Sequence, residues 1–333
     1  MYSPESLARY PAESLDLLST LCYHLCNVKA SMRNGNTGFP VRDEKFDRLV
    51  NLLRECGRVL VAYSGGVDSS FLLKIAHDVL GDQAVGVLAF SESLDRNEDR
   101  QARELASELG LPLRVIETHE YENDAYRRND AMRCYHCKSE LFTRLVRLAQ
   151  EEGIPHVLDG SNADDQGDFR PGMKARVENG VRSPLIEVGM TKSEIRQHAR
   201  RLGLPTWDKP AAPCLSSRIP YGTEVSREKL RQIESAEAGL RELGFRVVRV
   251  RHHGDIARIE IPTQDFPRFL EEAVRAKAVS CVEAAGFRQV VLDMKGFRSG
   301  SLNEALGISS VTAQDDAQKP GGWVPVSELK LLN

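Results

Sequence analysis

The sequence predicts an α/β fold: a parallel sheet with helices on both faces, followed by a smaller C-terminal α+β unit. Three observations predict it. Val59–Tyr63 is an apolar run of strand formers, and a Ser/Gly-rich turn and a helix follow at once. Strand-like and helix-like stretches then alternate to about residue 160, as a parallel sheet requires. A stiff connector carrying Pro205, Pro210 and Pro213 ends that pattern, and a different order of elements begins after it.

The elements follow in order. Residues 1–40 are an N-terminal extension with no assigned function. Within it Asn34 to Pro40 reads as a loop, and Cys22 and Cys26 read as core-facing side chains of one helix face. Phe46, Leu49, Leu52 and Leu53 mark a helix leading to the first strand. Phe71, Leu72, Ile75, Val79 and Leu80 recur at helical spacing, and Gly81 stops them. Ala84–Phe90 is the second strand, Glu98–Leu109 a helix, Leu113–Glu117 the third strand, Leu141–Ala149 a helix and His156–Gly160 the fourth strand. Thr191-Lys192-Ser193-Glu194 is a capping box that opens a helix running to Gly203. After the connector come a helix over Glu228–Leu243, strands Phe245–Val250 and Ala257–Ile261, a helix over Phe266–Ala285 and a strand Gln289–Asp293. The expected organisation is thus an extension at 1–40, a nucleotide-type domain at 41–212, a small α+β substrate domain at 213–300 and a polar tail at 301–333.

Composition narrows the class. The 333 residues are 41% hydrophobic and 28% charged, with a net charge of −3, so nothing in bulk asks for nucleic acid. No apolar run approaches the roughly 20 residues of a membrane span. A cytoplasmic protein is expected, with no membrane partner. Seven cysteines without a dense framework are, in a reducing compartment, free, metal-bound or catalytic.

The chemistry starts at Ser64-Gly65-Gly66-Val67-Asp68-Ser69-Ser70, between strand and helix. Gly65 and Gly66 let backbone N–H groups approach an anion, and the helix dipole adds to the attraction. Ser64, Ser69 and Ser70 supply hydroxyls, and Asp68 is a candidate for Mg²⁺ bridging phosphates. No Gly-Lys-Ser/Thr follows, so this is not a Walker A loop. In a parallel sheet, ligands bind beyond the strands' carboxyl ends. Ser91, after the second strand, and Gly160 to Asp168, after the fourth, therefore join the loop. Asp164 and Asp165 are candidates for Mg²⁺ or for ordering an arginine, and Arg170 and Lys174 for offsetting charge on a departing pyrophosphate.

Cys134-Tyr135-His136-Cys137 is a CxxC flanked by Arg133 and Lys138. Cys214 lies between prolines, four residues before Arg218, which is placed to favour its thiolate. Together the three thiols suit a [4Fe–4S] cluster with one open iron, or, with a histidine, a zinc site. Cys56 and Cys281 lie on apolar segments and read as core. Arg249 and Arg251 alternate onto one strand face, an arrangement suited to phosphate or carboxylate.

Ser-Gly-Gly-Val-Asp-Ser after an apolar strand resembles the PP-loop of ATP pyrophosphatases, which implies a Rossmann-like PP-loop domain that binds ATP, transfers AMP to a substrate oxygen and releases pyrophosphate. Asn162-Ala163-Asp164-Asp165, Arg170 to Ala175, Val181 to Leu185, Trp207 to Pro210, Pro213 to Gly222 and Arg249 to Gly254 extend the likeness. Over roughly 45 to 295 the chain resembles the LarE family, ATP-dependent sulfur transferases of nickel-pincer nucleotide biosynthesis. The resemblance implies a pyridinium-3,5-biscarboxylic acid mononucleotide substrate, adenylated on a carboxylate and converted to a thiocarboxylate. It also implies the branch in which Cys134, Cys137 and Cys214 hold a [4Fe–4S] cluster. The alternative within the family is a Cys214 that surrenders its own sulfur. The resemblance further implies that Arg249 and Arg251 hold the substrate phosphate, that Glu237 and Ser217 help orient the substrate, and that the protein is a homo-oligomer. A competing expectation is a tRNA-thiolating PP-loop enzyme; another is a non-catalytic ATP sensor or iron–sulfur carrier.

Overall fold

The computed structural model describes residues 43–167 and 171–298. The expectations for residues 1–40, for Cys22 and Cys26, for Arg170 and for the polar tail lie outside the described residues. No helix among the described residues is long and apolar enough to cross a membrane.

Helix α1 (Glu44–Cys56) leads into β1 (Val59–Tyr63), followed by α2 (Val67–Leu80), β2 (Ala84–Phe90), α3 (Arg96–Glu108) and β3 (Leu113–Glu117). A short α4 (Asp124–Arg127) precedes the long α5 (Arg133–Glu151), and β4 (His156–Leu158) completes the sheet. The four strands are all parallel, in the order β3-β2-β1-β4. The chain therefore moves one way from β1 through β3, then returns to the other side of β1. That reversal puts the switch point between β1 and β4, where an open α/β sheet leaves a crevice.

Alternation along β1 divides its side chains between two cores. Leu60, with Val87 and Val157, packs against Phe142, Leu145, Val146 and Ala149 of α5 and Ala175 of α6 (Pro171–Glu178). Tyr63 points to the opposite face, where its hydroxyl donates to Ala102 O of α3 at 2.9 Å. On that face α2 also lies against β1 and β2, and Phe46, Phe71 and His198 form an aromatic cluster with α8 (Lys192–Arg201), the centroids of Phe46 and His198 5.0 Å apart. A short α7 (Pro184–Glu187) lies between α6 and α8.

Past the proline connector, α9 (Arg227–Glu242) is followed by a three-stranded sheet, β5 (Arg249–His253), β6 (Ile256–Glu260) and β7 (Gln289–Leu292). β5 and β6 are antiparallel, while β6 and β7 are parallel and joined through α10 (Phe266–Leu270) and α11 (Glu272–Ala284). Helix α9 serves two cores. Ala236 and Leu240 pack with Phe245, Val250 and Ile259, whereas Leu230 and Ile233 pack with Tyr126, Leu215 and Ile219. Cys56 is buried, and the partly buried Cys281 packs on the second-sheet core, as expected of core thiols.

Three elements differ from the sequence expectation. The helix placed at Leu141–Ala149 begins at Arg133. In its first two turns Tyr135 and Cys137 are the side chains that pack on a core, too few for an apolar period, so apolar spacing marks only the later half. The strand placed at Phe245–Val250 starts at Arg249, because Gly244 (φ +90°) and Phe245, whose N–H bonds to Leu240 O at 3.3 Å, close the end of α9 instead of pairing. The helix over Phe266–Ala285 is broken at Glu271, whose backbone is extended (φ −55°, ψ 132°).

Gly65 combines φ +69° with a missing Cβ that would stand 2.6 Å from Ala102 Cβ, whereas Gly57 has the same φ and no neighbour within 4 Å of its missing Cβ. Gly57→Ala is expected to destabilise the fold by about 1 kcal/mol and Gly65→Ala by roughly 2–4 kcal/mol. Urea midpoints measure the difference; equal losses would mean that the loop moves aside at no cost.

Candidate functional site

The turn after β1 is built to leave donors free. α2 opens at Gly66 (φ −79°, ψ 165°) with no side-chain cap. By contrast α3, α8 and α9 are capped: Asp95 accepts from Asn97 N, Thr191 from Glu194 N and Ser226 from Lys229 N. The first amides of α2 thus have no side-chain acceptor and sit at the positive end of the helix, an arrangement that binds phosphate. Ser69 Oγ accepts from Ser64 N at 3.2 Å and lies 3.0 Å from Ser64 Oγ, fixing the curl of the loop. Val67, Ser69 and Ser70 are buried beneath it.

β4 brings the second loop to the first. A Cβ on Gly160 would stand 2.9 Å from Ser69 N, so only glycine lets the two turns touch. Asp68 Oδ2 is ion-paired to Lys192 Nζ, and Asp68 Oδ1 is buried without a hydrogen-bond partner. Burial raises the Asp68 carboxyl, and Lys192 pulls it back down. Asp164 Oδ2 accepts from Lys192 N at 2.9 Å, and Asp165 Oδ2 from Asn162 N at 3.0 Å, so both acids shape the turn and the start of α8. On the other side, Lys209 Nζ lies 2.8 Å from Glu98 Oε2 and donates to Gly65 O at 3.3 Å. The loop carries no lysine of its own, and these two flank it.

The three singled-out cysteines come from two elements. Cys134 and Cys137 lie in the opening turns of α5, three residues apart and so on one face; this helix also begins without a side-chain cap. Cys214 precedes a 3₁₀ turn, Leu215–Arg218. Leu215 N donates to Ser93 O at 2.8 Å, which ties the Cys214 turn to the end of β2. Arg133 Nη1 donates to Ser216 O at 2.8 Å, and the Tyr126 and Ser216 hydroxyls are 2.6 Å apart, which ties it to α4 and α5. Asn129, at φ +57°, gives its amide to the carbonyls of Ile219, Pro220 and Thr223. Cys137 packs on the core of Tyr126, Leu215 and Ile219. Burial pushes its thiol far up, the Glu120 carboxylate next to it adds to this, and charges on Cys214 and Cys134 raise it further. Burial and the charges of Cys214 and Cys137 likewise raise Tyr126.

Glu120 is buried, accepts from Ser93 Oγ at 2.9 Å and leaves its Oε2 without a partner. Ser91 Oγ lies 3.0 Å from Ser93 Oγ, so a hydroxyl chain runs from the end of β2 to this carboxylate beside Cys137.

Arg218 does more than flank Cys214. Its Nε and Nη2 bind the two oxygens of Glu237 at 2.9 Å each, and its Nη1 donates to Pro213 O, Cys214 O and Ser217 Oγ. Glu237 is fully buried and also accepts from Arg241 Nη2 and Val250 N. It therefore holds the cysteine turn and is sequestered from any ligand. Arg251 is likewise engaged, with Glu260 Oε2 at 2.8 Å and Ser217 O at 2.7 Å. Arg249 differs: among the described residues it donates to the carbonyls of Val248 and Ala211, at 2.8 and 2.6 Å, and lies over the Phe297 ring. Burial, then the charges of Arg218, Arg241 and Arg251, pull it down to about 10. It lines a cavity of about 520 Å³ whose wall also holds Gly65, Lys209, Pro213, Arg218 and Arg241.

The fold thus groups Ser64 to Ser70 with Gly160 and Asp164, and Ser91 with the three cysteines. Arg249 and Arg251 share β5 but not a role. Glu120, Lys192, Lys209 and Asn129 stand at the candidate site although the sequence reading gave none of them a role. Two carried a signal: Lys192 follows Thr191 in a capping box, and Lys209 lies in the Trp207 to Pro210 motif.

A family profile described as NAD synthase matches residues 44–140. The chain is 45% identical over 264 residues to an uncharacterised protein of Synechocystis, covering 79% of this chain and 98% of the relative. It is 42% identical over 259 residues to the pyridinium-3,5-bisthiocarboxylic acid mononucleotide synthase of Lactiplantibacillus plantarum, covering 78% of this chain and 93% of that enzyme. It is 28% identical over 233 residues to the tRNA-specific 2-thiouridylase of Rickettsia conorii, where the match covers 57% of this chain and 61% of the relative.

Arg249 tests the idea of a cation held ready for an anion. Its folded pKa lies below its unfolded one, so the charged form is disfavoured by folding, and stability rises as pH climbs through about 10. Arg249→Met removes that penalty, on the order of 1–3 kcal/mol, and loses two backbone contacts in exchange. The expected result is an unchanged or higher melting temperature and a phosphate-bearing ligand bound at least about tenfold more weakly. A large drop in melting temperature with unchanged binding would contradict it.

Proposed function

Because the chain belongs to the same family as the pyridinium-3,5-bisthiocarboxylic acid mononucleotide synthase of Lactiplantibacillus plantarum, we propose that it is an ATP-dependent sulfur transferase acting on pyridinium-3,5-biscarboxylic acid mononucleotide. The observation that carries this reading is the hydrogen bond from Leu215 N to Ser93 O, which sets the Cys214 turn against the carboxyl end of β2, next to the phosphate loop.

In the first step a substrate carboxylate oxygen attacks the α-phosphorus of ATP. The acyl adenylate forms and pyrophosphate leaves with the electrons of the broken P–O bond. The uncapped amides of α2 and the Ser64 and Ser69 hydroxyls bind the phosphates, and Lys192 and Lys209 offset the charge on the leaving pyrophosphate. Asp68 fits a divalent cation, since its Oδ1 is buried and lacks a partner; Mg²⁺ held there would supply further charge neutralisation. In the second step a sulfur nucleophile held at the cysteine trio attacks the acyl carbon, and AMP leaves with the bonding pair. Arg218 fixes the main chain at Pro213 and Cys214 so that the sulfur is delivered at a set position. Arg249 binds the substrate phosphate; Arg251, held by Glu260, braces the strand and the Ser217 carbonyl.

Cys134, Cys137 and Cys214 stand on two elements, near enough for the charges of Cys134 and Cys214 to act on Cys137, although among the described residues no three His, Cys, Asp or Glu side chains form a group that could hold a metal ion. Cys134, Cys137 and Cys214 would hold a [4Fe–4S] cluster, whose open iron supplies a place for an added sulfide. A second reading is favoured by the anchoring of Cys214 through Arg218 and Ser93, which needs neither Cys134 nor Cys137. In it the Cys214 sulfur attacks directly, and loss of the Cα proton with cleavage of the Cβ–S bond leaves dehydroalanine. A tRNA substrate has weaker support, from relatives of lower identity and coverage.

Pyrophosphate release and thiocarboxylate formation are expected when ATP and the mononucleotide are added together; bulk tRNA should not substitute. Anaerobic loading with iron and sulfide should give a visible chromophore that Cys134→Ala and Cys137→Ala lose. Intact mass after turnover separates the two readings: an unchanged polypeptide supports the cluster, and loss of one H₂S from Cys214 supports sacrifice. Absence of adenylation on this substrate would refute the function.

A further inference from the structure

The connector between α8 and the turn after Cys214 is held by side chains. Pro205, Pro210 and Pro213 have no N–H to donate, so a backbone ladder cannot run through them. Arginines grip the connector's carbonyls at every second residue instead. Trp207 O and Lys209 O accept from Arg196, Ala211 O from Arg249 and Pro213 O from Arg218. Arg249 and Arg218 have parts in the reaction proposed above, and Arg196 has none.

Arg196 lies on α8, four residues after Lys192 and four before Arg200. Residues at that spacing share a helix face, so the three form one row. Lys192 Nζ is ion-paired to Asp68 of the phosphate loop. Arg196 Nη1 donates to Trp207 O at 2.7 Å and its Nη2 to Lys209 O at 2.8 Å. The Arg200 guanidinium stands 4.8 Å from the centre of the Trp207 ring. Trp207 N and Lys209 N bond in turn to Leu204 O and Thr206 O, at 3.1 and 3.0 Å. Both the amide and the carbonyl of Lys209 are thus engaged. Its side chain runs to the phosphate loop, where Nζ donates to Gly65 O at 3.3 Å and lies 2.8 Å from Glu98 Oε2. An ammonium on a flexible four-carbon stem is only as well placed as the main chain that carries it. A planar fork spanning two carbonyls fixes both the position and the tilt of that main chain.

We propose that Arg196 is a positioning residue for Lys209: its fork on the Trp207 and Lys209 carbonyls sets where the Lys209 ammonium stands beside the phosphate loop. One face of α8 then places both lysines that flank the loop, Lys192 from the helix itself and Lys209 through Arg196. The ligand whose binding depends on this is a pyrophosphate group. That purpose rests on the function proposed above, whereas the placement of Lys209 is measurable without it.

Two measurements on the full chain test it. In the first, amines are reductively methylated with limiting formaldehyde, and each lysine is quantified by mass spectrometry. Arg196→Gln should speed the labelling of Lys209 by about three- to tenfold. Lys74, an ion-paired lysine of similar exposure on α2, should be unchanged and serves as the internal standard. Arg200→Gln, which frees the Trp207 ring but leaves the Lys209 carbonyl held, should keep Lys209 slow. Unchanged Lys209 labelling in Arg196→Gln would overturn the proposal. Equal speeding in Arg200→Gln would overturn it too, by assigning the effect to loosening of the whole turn. In the second, binding of inorganic pyrophosphate with Mg²⁺ is measured by calorimetry for Arg196→Lys, Lys209→Met and the double variant. The single variants should bind about threefold and about tenfold more weakly, and the double variant no more weakly than Lys209→Met alone. Losses that multiply would overturn the proposal by making Arg196 a phosphate ligand in its own right. Arg196→Lys keeps the charge, so this comparison stands even if Arg196→Gln fails to fold. Faster Lys209 labelling in Arg196→Gln, with pyrophosphate bound equally by all the variants, would uphold the placement while refuting the assignment of Lys209 to the phosphates.

Discussion

One buried carboxylate holds the working parts in relation to each other. Glu237, in the middle of α9, accepts from Arg218, Arg241 and the amide of Val250. Through Arg218 it fixes the carbonyls of Pro213 and Cys214, and through Val250 it fixes β5. Breaking such a pair by removing one partner typically costs 3–5 kcal/mol, yet a well-packed apolar substitute for both can be neutral. Its value here is therefore position. An apolar pair in its place would leave the proline-flanked turn with no donor for its carbonyls, and the cysteine would be free to move.

A second constraint comes from the sheet. The order β3-β2-β1-β4 places the ends of β2 and β4 on either side of the loop after β1. Proximity of Ser93, Ser69 and Gly160 is then a matter of topology, and it needs no energetic contribution from the loops. This lets them keep unsatisfied groups: the uncapped start of α2, the lone Oδ1 of Asp68 and the lone Oε2 of Glu120. Capped helices elsewhere, such as α8 with its capping box, carry stability that the site gives up.

What was legible in the sequence follows the range of the interactions. Strand, glycine turn and helix are local patterns, and the capping box at Thr191 is a four-residue one; both fold as read. The CxxC was visible, but its place inside α5 was not, because Tyr135 and Cys137 alone are too few to set an apolar period there. Arg249 and Arg251 looked equivalent, since alternation sees only their shared face. Their difference depends on Glu260 across β6, which a pattern along one strand cannot reveal. The same holds for Arg218 and Glu237, nineteen residues apart in sequence, and for Lys192 and Asp68, separated by 124.

Those pairings divide the buried charge into two kinds. Arg218 and Arg251 are compensated by glutamates within the chain, and their surroundings are complete without any guest. Arg133 and Arg249 meet carbonyls, an amide and a ring, which satisfy hydrogen bonds but not charge. A fold gains nothing in stability from an uncompensated buried cation, so such a residue is retained for what it attracts. Arg249 stands in the wall of the cavity that also reaches Gly65 of the loop after β1, whereas Arg133 is tied through Ser216 O to the turn that follows Cys214.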